Sequence, residues 1–290
     1  MVATFAYETP GTVQEAIAAL GRHGDDAKIL AGGQSLIPLL NLGLAQPSVL
    51  IDITTIGDLE FIEERDGTVA IGAMTRYVMV QRSELARRAC PLLAEALPFI
   101  GDRQIRNRGT IGGSLAHADP VAEVPTVAAC LGATMRITGQ AGARDVPASE
   151  FFVTYLTTAI GPGELLTEVR FPVAAPRTGV SFQELVRRQG DFAIVAAAAT
   201  VTLGEAGECR DVQLALAGVD ATPIRVDRAT DVLRNQQPTA ERIRDAARAA
   251  CDGIDPESDI MASAEYRRAM AEVFARRALE QAAHRASVGA

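Results

Sequence analysis

A short apolar run that ends in two glycines limits what the start of this chain can form. Residues 29–31 suit a buried strand, and Gly32 and Gly33 suit a tight turn. Ser35 is placed to cap a helix that begins at Leu36. Such a turn lets backbone N–H groups approach an anion, and a helix N-terminus behind it favours phosphate. Because paired glycines are also ordinary turn chemistry, this segment alone leaves both a phosphate site and a plain turn open.

Strand and helix signals around this turn predict an α/β unit at the amino terminus. Thr12 and Glu15 form a capping box, so a helix is expected to follow Thr12. A further buried strand is predicted over residues 49–53. Residues 1–55 are therefore predicted to contain strand, helix, strand, glycine turn, helix and strand, in that order.

A second glycine pair, Gly112 and Gly113, lies between Thr110 and Ser114. The chain contains neither a P-loop nor the Gly-x-Gly-x-x-Gly pattern, so an NTPase and a Rossmann dinucleotide site are not supported. Two separate glycine turns fit another solution, in which loops from two subdomains close on one pyrophosphate and donate backbone N–H groups to it. A dinucleotide is the natural ligand for this arrangement.

Charged residues flank the second glycine pair. Arg103, Arg106 and Arg108 suit either a diphosphate or an acidic patch on a partner, and simple solvation is an equal alternative. Asp119 and Glu123 suit acceptors for ribityl or ribose hydroxyls, although a turn residue and a helix-start carboxylate explain them equally well. Their role as ligand contacts stays open at this point.

The sequence contains no catalytic or metal-binding pattern. Three histidines and four cysteines are scattered, with no Cys-x-x-Cys pair, and no Gly-x-Ser-x-Gly occurs. We therefore nominate no general acid, general base or metal ligand, and we expect an organic cofactor if the protein does redox chemistry. The formal charge of −8 gives no basic surface for nucleic acid. Because no apolar run reaches membrane-spanning length, the cytoplasm is the expected location.

The character of the sequence changes after a stretch with two prolines at residues 173–179. Long antiparallel strands are predicted over residues 180–186, 194–203 and 212–219, and helices are predicted beyond them. In the last helix we expect Arg267 to lie with other arginines on a solvated face. Strands followed by helices indicate an α+β C-terminal region.

Several segments of the chain resemble those of a known family. Residues 31–38 and 105–114 resemble the two FAD-binding loops in the medium, flavoprotein subunits of the molybdenum hydroxylases, the carbon monoxide dehydrogenase and xanthine dehydrogenase family. The resemblance extends to residues 161–166, 190–193 and 264–267, so it covers nearly the whole chain. Two spaced loops with three downstream matches make it specific.

The resemblance implies an α+β fold. A vanillyl-alcohol-oxidase-type (PCMH-type) FAD-binding domain would occupy residues 1–174, with two α/β subdomains at about residues 1–55 and 56–174. A C-terminal flavoprotein domain of antiparallel sheet and helices would occupy residues 175–290.

The resemblance also implies where FAD would bind. Diphosphate contacts fall on residues 31–35 and 110–114, Leu166 is implied as a backbone contact to adenine, and Phe192 is implied as a neighbour of the isoalloxazine ring. The residues implied to contact FAD are Ile29, Leu30, Ala31, Gly32, Gly33, Gln34, Ser35, Leu36, Ile100, Gly109, Thr110, Ile111, Gly112, Gly113, Ser114, Asp119, Glu123, Leu166 and Phe192.

A member of this family would carry FAD as the electron-transfer subunit of a molybdenum hydroxylase. Electrons from the molybdenum cofactor of a large subunit would arrive through [2Fe–2S] clusters of a small subunit. They would leave to NAD⁺, a quinone or oxygen, and a dimer of heterotrimers is the implied assembly. Two alternatives stay open: a stand-alone FAD-dependent oxidoreductase and an assembly scaffold without a cofactor.

Overall fold

The computed structural model describes residues 4–288, and the first of these form a three-stranded parallel sheet. Its central strand, residues 49–52, lies between the other two and is buried along its whole length. The helix that crosses over this sheet begins after Thr12, whose hydroxyl accepts from the Glu15 N–H at 3.1 Å, as the capping box predicts. The elements are β1 (Ala6–Glu8), α1 (Val13–His23), β2 (Ala27–Leu30), α2 (Leu36–Asn41) and β3 (Val49–Asp52).

A five-stranded antiparallel sheet follows, with helices against one of its faces. Ile71, Ile137 and Val169 point toward these helices and are fully buried. Arg136 and Asp145 pair at 2.9 Å on neighbouring strands and stay partly exposed, as alternation across a sheet requires. The elements are β4 (Ile62–Arg65), β5 (Thr68–Gly72), α3 (Tyr77–Arg82), α4 (Glu84–Ala89), α5 (Pro91–Ala96), α6 (Arg103–Arg108), α7 (Ile111–His117), α8 (Glu123–Leu131), β6 (Thr134–Gly139), β7 (Gly142–Pro147), α9 (Ala148–Phe151), β8 (Phe152–Thr154), β9 (Thr157–Thr158) and β10 (Leu165–Pro172). The sheet order is β4-β5-β10-β6-β7, and β8 pairs with β9.

The C-terminal part is a four-stranded antiparallel sheet covered on both faces. All nine residues of its second strand are buried because Ala196 and Ala198 face the N-terminal part while Ala197 and Ala199 face the last helix. Within residues 4–288, each helix is too short or too polar to cross a membrane. The elements are β11 (Thr178–Leu185), β12 (Val195–Leu203), β13 (Cys209–Ala217), β14 (Ile224–Arg225), α10 (Asp227–Leu233), α11 (Ala240–Ala250) and α12 (Ala264–Val288), and the sheet order follows the chain.

Side chains from two helices cover the free edge of β11. The N–H of Phe182 donates to Glu95 Oε1 at 3.0 Å, and the carbonyl of Val180 accepts from Arg285 Nη1 at 2.6 Å. The same Arg285 guanidinium pairs with the Glu95 carboxylate. Because Glu95 lies on α5 and Arg285 on α12, this edge ties the two parts of the chain together and leaves fewer open backbone groups for another strand.

Three local predictions are wrong. Gly112 and Gly113 do not form a turn but lie in the first turn of α7, where the Gly113 N–H donates to the Thr110 hydroxyl at 3.1 Å. Ser35 precedes α2, yet its side chain makes no capping hydrogen bond. Arg267 is buried rather than solvated, because its guanidinium donates to the Ile194 carbonyl and pairs with Asp259 at 2.8 Å.

Candidate functional site

The two glycine segments lie side by side. A β-carbon on Gly32 would overlap the backbone carbonyl of Arg108 and lie 2.9 Å from the α-carbon of Gly109. The Ala31 β-carbon lies 3.6 Å from the place that a β-carbon on Gly113 would take. The parallel sheet therefore brings the first segment directly against the second, which follows α6.

The first segment presents unused backbone donors. Among residues 4–288, the backbone N–H groups of Gly32, Gly33, Gln34 and Ser35 have no hydrogen-bond acceptor. Gly33 has φ of 74°, in the left-handed region, and this turns successive N–H groups toward one side. The Gln34 side chain donates to the Gly32 carbonyl at 2.9 Å and so braces the turn. Four free donors on one turn suit an anion.

The second segment contributes less of its backbone than the sequence indicated. The N–H of Ile111 donates to the Thr75 carbonyl at 3.0 Å, and the N–H of Gly112 donates to the Ala73 carbonyl at 2.9 Å. With Gly113 bonded to Thr110, these three donors are already satisfied, as expected for the capped first turn of a helix. The second segment therefore contributes a close-packed surface and the Ser114 hydroxyl to the site, rather than free backbone N–H groups.

Tyr77 and two nearby acidic side chains lie beside the second segment. Burial raises the pKa of Tyr77 to about 12, against the effect of a hydrogen bond with Ser114. Burial also raises the pKa of Glu123 to about 7, and the nearby charge of Asp119 acts in the same direction. Asp119 accepts from the Val121 N–H at 3.0 Å and so serves the turn before α8 as well. Burial therefore favours the protonated form of Glu123.

Glu184 on β11 faces this group from the C-terminal part. Burial, followed by the charge of Glu123, raises the pKa of Glu184 to about 8. Its Oε2 atom is buried without a hydrogen-bond partner among residues 4–288. A buried carboxyl oxygen without a partner is costly and suits a ligand that donates a hydrogen bond. Sequence analysis missed Glu184, although its period-two spacing from the inward-facing Val180 and Phe182 is a readable signal.

The three arginines before the second segment have separate roles. Arg106 Nη1 donates to the carbonyls of Ile100 and Gly101, each at 2.8 Å, so it holds the turn before α6. Arg108 lies near Asp52. Burial would raise the pKa of Asp52, but hydrogen bonds from Tyr7 and Thr54 and the positive charge of Arg108 outweigh burial, so the pKa is lowered overall. Arg103 is exposed.

The remaining implied contacts lie on two sides of this site. Leu166 is buried on β10, next to Thr167, whose carbonyl accepts from the Ala73 N–H at 3.0 Å. Because the Ala73 carbonyl also binds Gly112, Leu166 lies close to the second segment. Phe192 is 68% exposed on the loop before β12, and Gly190 of that loop packs against the turn that contains Ile100. The buried Ile100 precedes α6, and Gly190 brings the loop of the exposed Phe192 to the same turn, at the end of α6 opposite Gly109.

Comparison with known proteins identifies the family. Residues 3–174 match the family described as the FAD binding domain in molybdopterin dehydrogenase. The chain belongs to this family. Residues 180–282 match a second family, the CO dehydrogenase flavoprotein C-terminal domain.

Similar proteins match the chain along almost its whole length. The 6-hydroxypseudooxynicotine dehydrogenase complex subunit alpha of Paenarthrobacter nicotinovorans is 42% identical over 98% of this chain and 96% of its own. The carbon monoxide dehydrogenase medium chain of Afipia carboxidovorans is 40% identical over 98% of each chain. The structure of reconstituted CO dehydrogenase from Oligotropha carboxidovorans superposes with a TM-score of 0.95 at 39% identity, covering 98% of this chain and 99% of that one.

These matches confirm the predicted family, fold class and cofactor. The chain is an FAD-binding medium subunit of the molybdenum hydroxylase family and a component of an oxidoreductase. The described residues fit FAD, since the turn at Gly32 has free N–H donors for a diphosphate and Glu184 has a buried oxygen that needs a donor. The individual contact residues stay predictions.

Proposed function

We propose that the chain carries FAD as the electron-transfer subunit of a heteromeric molybdenum hydroxylase. Electrons reach the chain from [2Fe–2S] clusters on a small subunit, whose own source is a molybdenum cofactor on a large subunit. They leave to an external acceptor, NAD⁺, a quinone or oxygen. Bound FAD supplies the ability to accept electrons singly and release them in pairs. The proposed assembly is a dimer of heterotrimers in the cytoplasm, where the four buried free thiols stay reduced.

The observation that carries this proposal is the contact between the two glycine segments. The N–H groups from Gly32 to Ser35 are free to donate to an anion, and the second segment packs directly against this turn at Gly32. This arrangement binds and orients a dinucleotide but supplies no nucleophile. The function of this chain is therefore to bind and orient the cofactor, which suits an electron-transfer subunit better than an enzyme that acts alone.

Two further groups adjust that binding. Glu123 and Glu184 would present carboxyl oxygens to polar donors of the cofactor. Because burial raises the pKa of both groups, they retain a proton at a higher pH than an ordinary glutamate does. Phe192, exposed beside the Ile100 turn, offers an apolar face for the ring system or for the partner that delivers electrons. Leu166 and Asp119 are proposed to contact the adenine end and a sugar hydroxyl, respectively.

The test is re-oxidation of the reduced complex purified from its native host. Anaerobic reduction with dithionite is followed by mixing with oxygen, a soluble quinone or NAD⁺ in separate arms, while cluster and flavin absorbance are recorded. The proposal expects one FAD per copy of this chain, co-purifying molybdenum and [2Fe–2S] chains, and re-oxidation at least tenfold slower in a Gly32→Ala complex. Unchanged re-oxidation without flavin would favour the scaffold alternative, and substrate turnover by this chain alone would favour a stand-alone oxidoreductase.

A further inference from the structure

Three arginines line an open cleft where the linker between the two parts of the chain meets α4 and α12. The cleft holds about 270 Å³, and Arg88, Arg177 and Arg285 lie on its walls. Its other described lining residues are prolines, alanines and a threonine, so no acidic side chain lines it. The cleft is separate from the FAD segments, which contribute no residue to it.

Arg177 is the guanidinium in this cleft that lacks a partner. Arg88 pairs with Glu64 at 2.8 Å, and Arg285 pairs with Glu95. Among residues 4–288, the Arg177 guanidinium has no acceptor, and its Nε is buried without a hydrogen bond. A buried donor of this kind destabilises the fold when it stays unsatisfied. An acceptor supplied by a ligand would remove that cost.

The backbone holds Arg177 firmly in place. Its φ is 61°, in the left-handed region that residues other than glycine adopt only at an energetic cost. Its carbonyl accepts from the Leu203 N–H at 3.1 Å, which fixes it at the start of β11. The backbone of Arg177 is therefore fixed where the linker meets α4 and α12, and its side chain lines the cleft.

A smaller chamber of about 140 Å³ adjoins the cleft. The two share walls at Pro91 and Thr178, and the chamber continues inward past Leu92 and Leu131. The Thr178 and Thr202 hydroxyls lie 2.7 Å apart on its sheet side. A basic mouth that opens into a mostly apolar chamber suits a ligand with an anionic head and a short apolar body.

We propose that this cleft binds a small organic anion, with a carboxylate or phosphate head on Arg177 between Arg88 and Arg285. Two of the three guanidinium groups pair with Glu64 and Glu95, and Asp211 lines the adjoining chamber, so Arg177 is the guanidinium left for the ligand's head. Because α4 belongs to the N-terminal part and α12 to the C-terminal part, the bound anion stabilises their contact.

The experiment is calorimetric titration of the FAD-saturated chain with phenyl phosphate and with benzoate, and with benzyl alcohol as the uncharged control. One site per chain is expected for an anion, together with weaker binding at higher salt and no detectable binding of benzyl alcohol. The head group that binds more tightly identifies the natural chemistry. Saturation with FAD ensures that the diphosphate site is not the one being titrated.

Variants separate this site from general charge effects. Arg177→Gln is expected to weaken anion binding at least tenfold, whereas Arg244→Gln, an exposed arginine on α11 outside the cleft, leaves it unchanged. Thermal unfolding without ligand checks that both variants fold. Equal binding by Arg177→Gln and the unaltered chain, equal binding of benzyl alcohol, or no binding of either anion would overturn the proposal.

Discussion

Gly32 packs its α-carbon against the backbone carbonyl of Arg108, so two segments far apart in the sequence meet with no space for a side chain. The neighbouring N–H groups are free because this contact uses the α-carbon rather than a hydrogen bond. Backbone, unlike a flexible side chain, cannot move aside cheaply. The geometry of the proposed diphosphate site therefore depends on the absence of a β-carbon at Gly32.

Gly32→Ala is expected to weaken FAD binding at least tenfold, or about 1.4 kcal/mol, because the new β-carbon pushes the two segments apart. The measurement is FAD affinity by fluorescence titration of the apoprotein. Gly57→Ala is the matched control, since a β-carbon there meets nothing within 4 Å. Equal affinities for the two variants would contradict the proposed site.

Glu184 makes the stability of the FAD-free chain depend on pH. Its pKa is raised from 4.5 to about 8, so the folded chain holds this proton more tightly than the unfolded chain does. That contribution to the free energy of unfolding is complete below pH 4.5 and is lost as the pH rises through about 8. Glu123, raised to about 7, acts in the same direction over a lower range.

At about pH 9 the free energy of unfolding of Glu184→Gln should therefore exceed that of the unaltered chain by about 2 kcal/mol. This value is well below the full linkage energy because the side chain keeps partial contact with solvent. Urea denaturation of apoprotein between about pH 5 and pH 9 measures the difference. Parallel pH profiles for the two proteins would show that Glu184 titrates normally.

Phe192→Ala is expected to change the flavin but not the fold. Because the side chain is 68% exposed, its truncation should alter the free energy of unfolding by less than about 0.5 kcal/mol. The visible flavin spectrum or the rate of flavin reduction should change if the ring lies nearby. Val153→Ala, at another exposed apolar residue, is the control. Identical spectra and rates in both variants would place Phe192 outside the site.

Glu95→Ala is expected to lower the free energy of unfolding by about 2 kcal/mol, since it leaves the Phe182 N–H without its acceptor and removes the carboxylate that pairs with Arg285. Glu95→Gln keeps an acceptor oxygen and removes only a partly exposed ion pair, so it should cost less than about 1 kcal/mol. Urea denaturation of both variants tests this order. A larger loss for glutamine than for alanine would exclude the edge-capping role.

The sequence predicts the local elements of this chain well where one segment contains the whole signal. Thr12 and Glu15 mark the start of α1, and the apolar run of β12 marks a strand buried on both faces. The predicted turn at Gly112 was wrong because a glycine in a sequence can indicate either a turn or close packing. Here it lies in a helix against Ala73, a neighbour that local pattern cannot reveal.

Residues that act through distant partners were the ones missed. Arg267 carries the charge of a surface residue, and only the fold brings the Ile194 carbonyl and Asp259 to it. Tyr77 meets Ser114 within the N-terminal part, and Glu184 approaches Glu123 only after the C-terminal sheet has packed. A motif search finds stretches of chain, whereas these contacts are properties of the packed core.

The contact between Gly32 and Arg108 also sets an order of events during biosynthesis. The ribosome releases the first glycine segment, with its parallel sheet, well before the second segment has been translated. A nascent chain that has not yet exposed Arg108 lacks the backbone against which Gly32 packs, so the proposed diphosphate site reaches its final geometry only after the second segment has been translated.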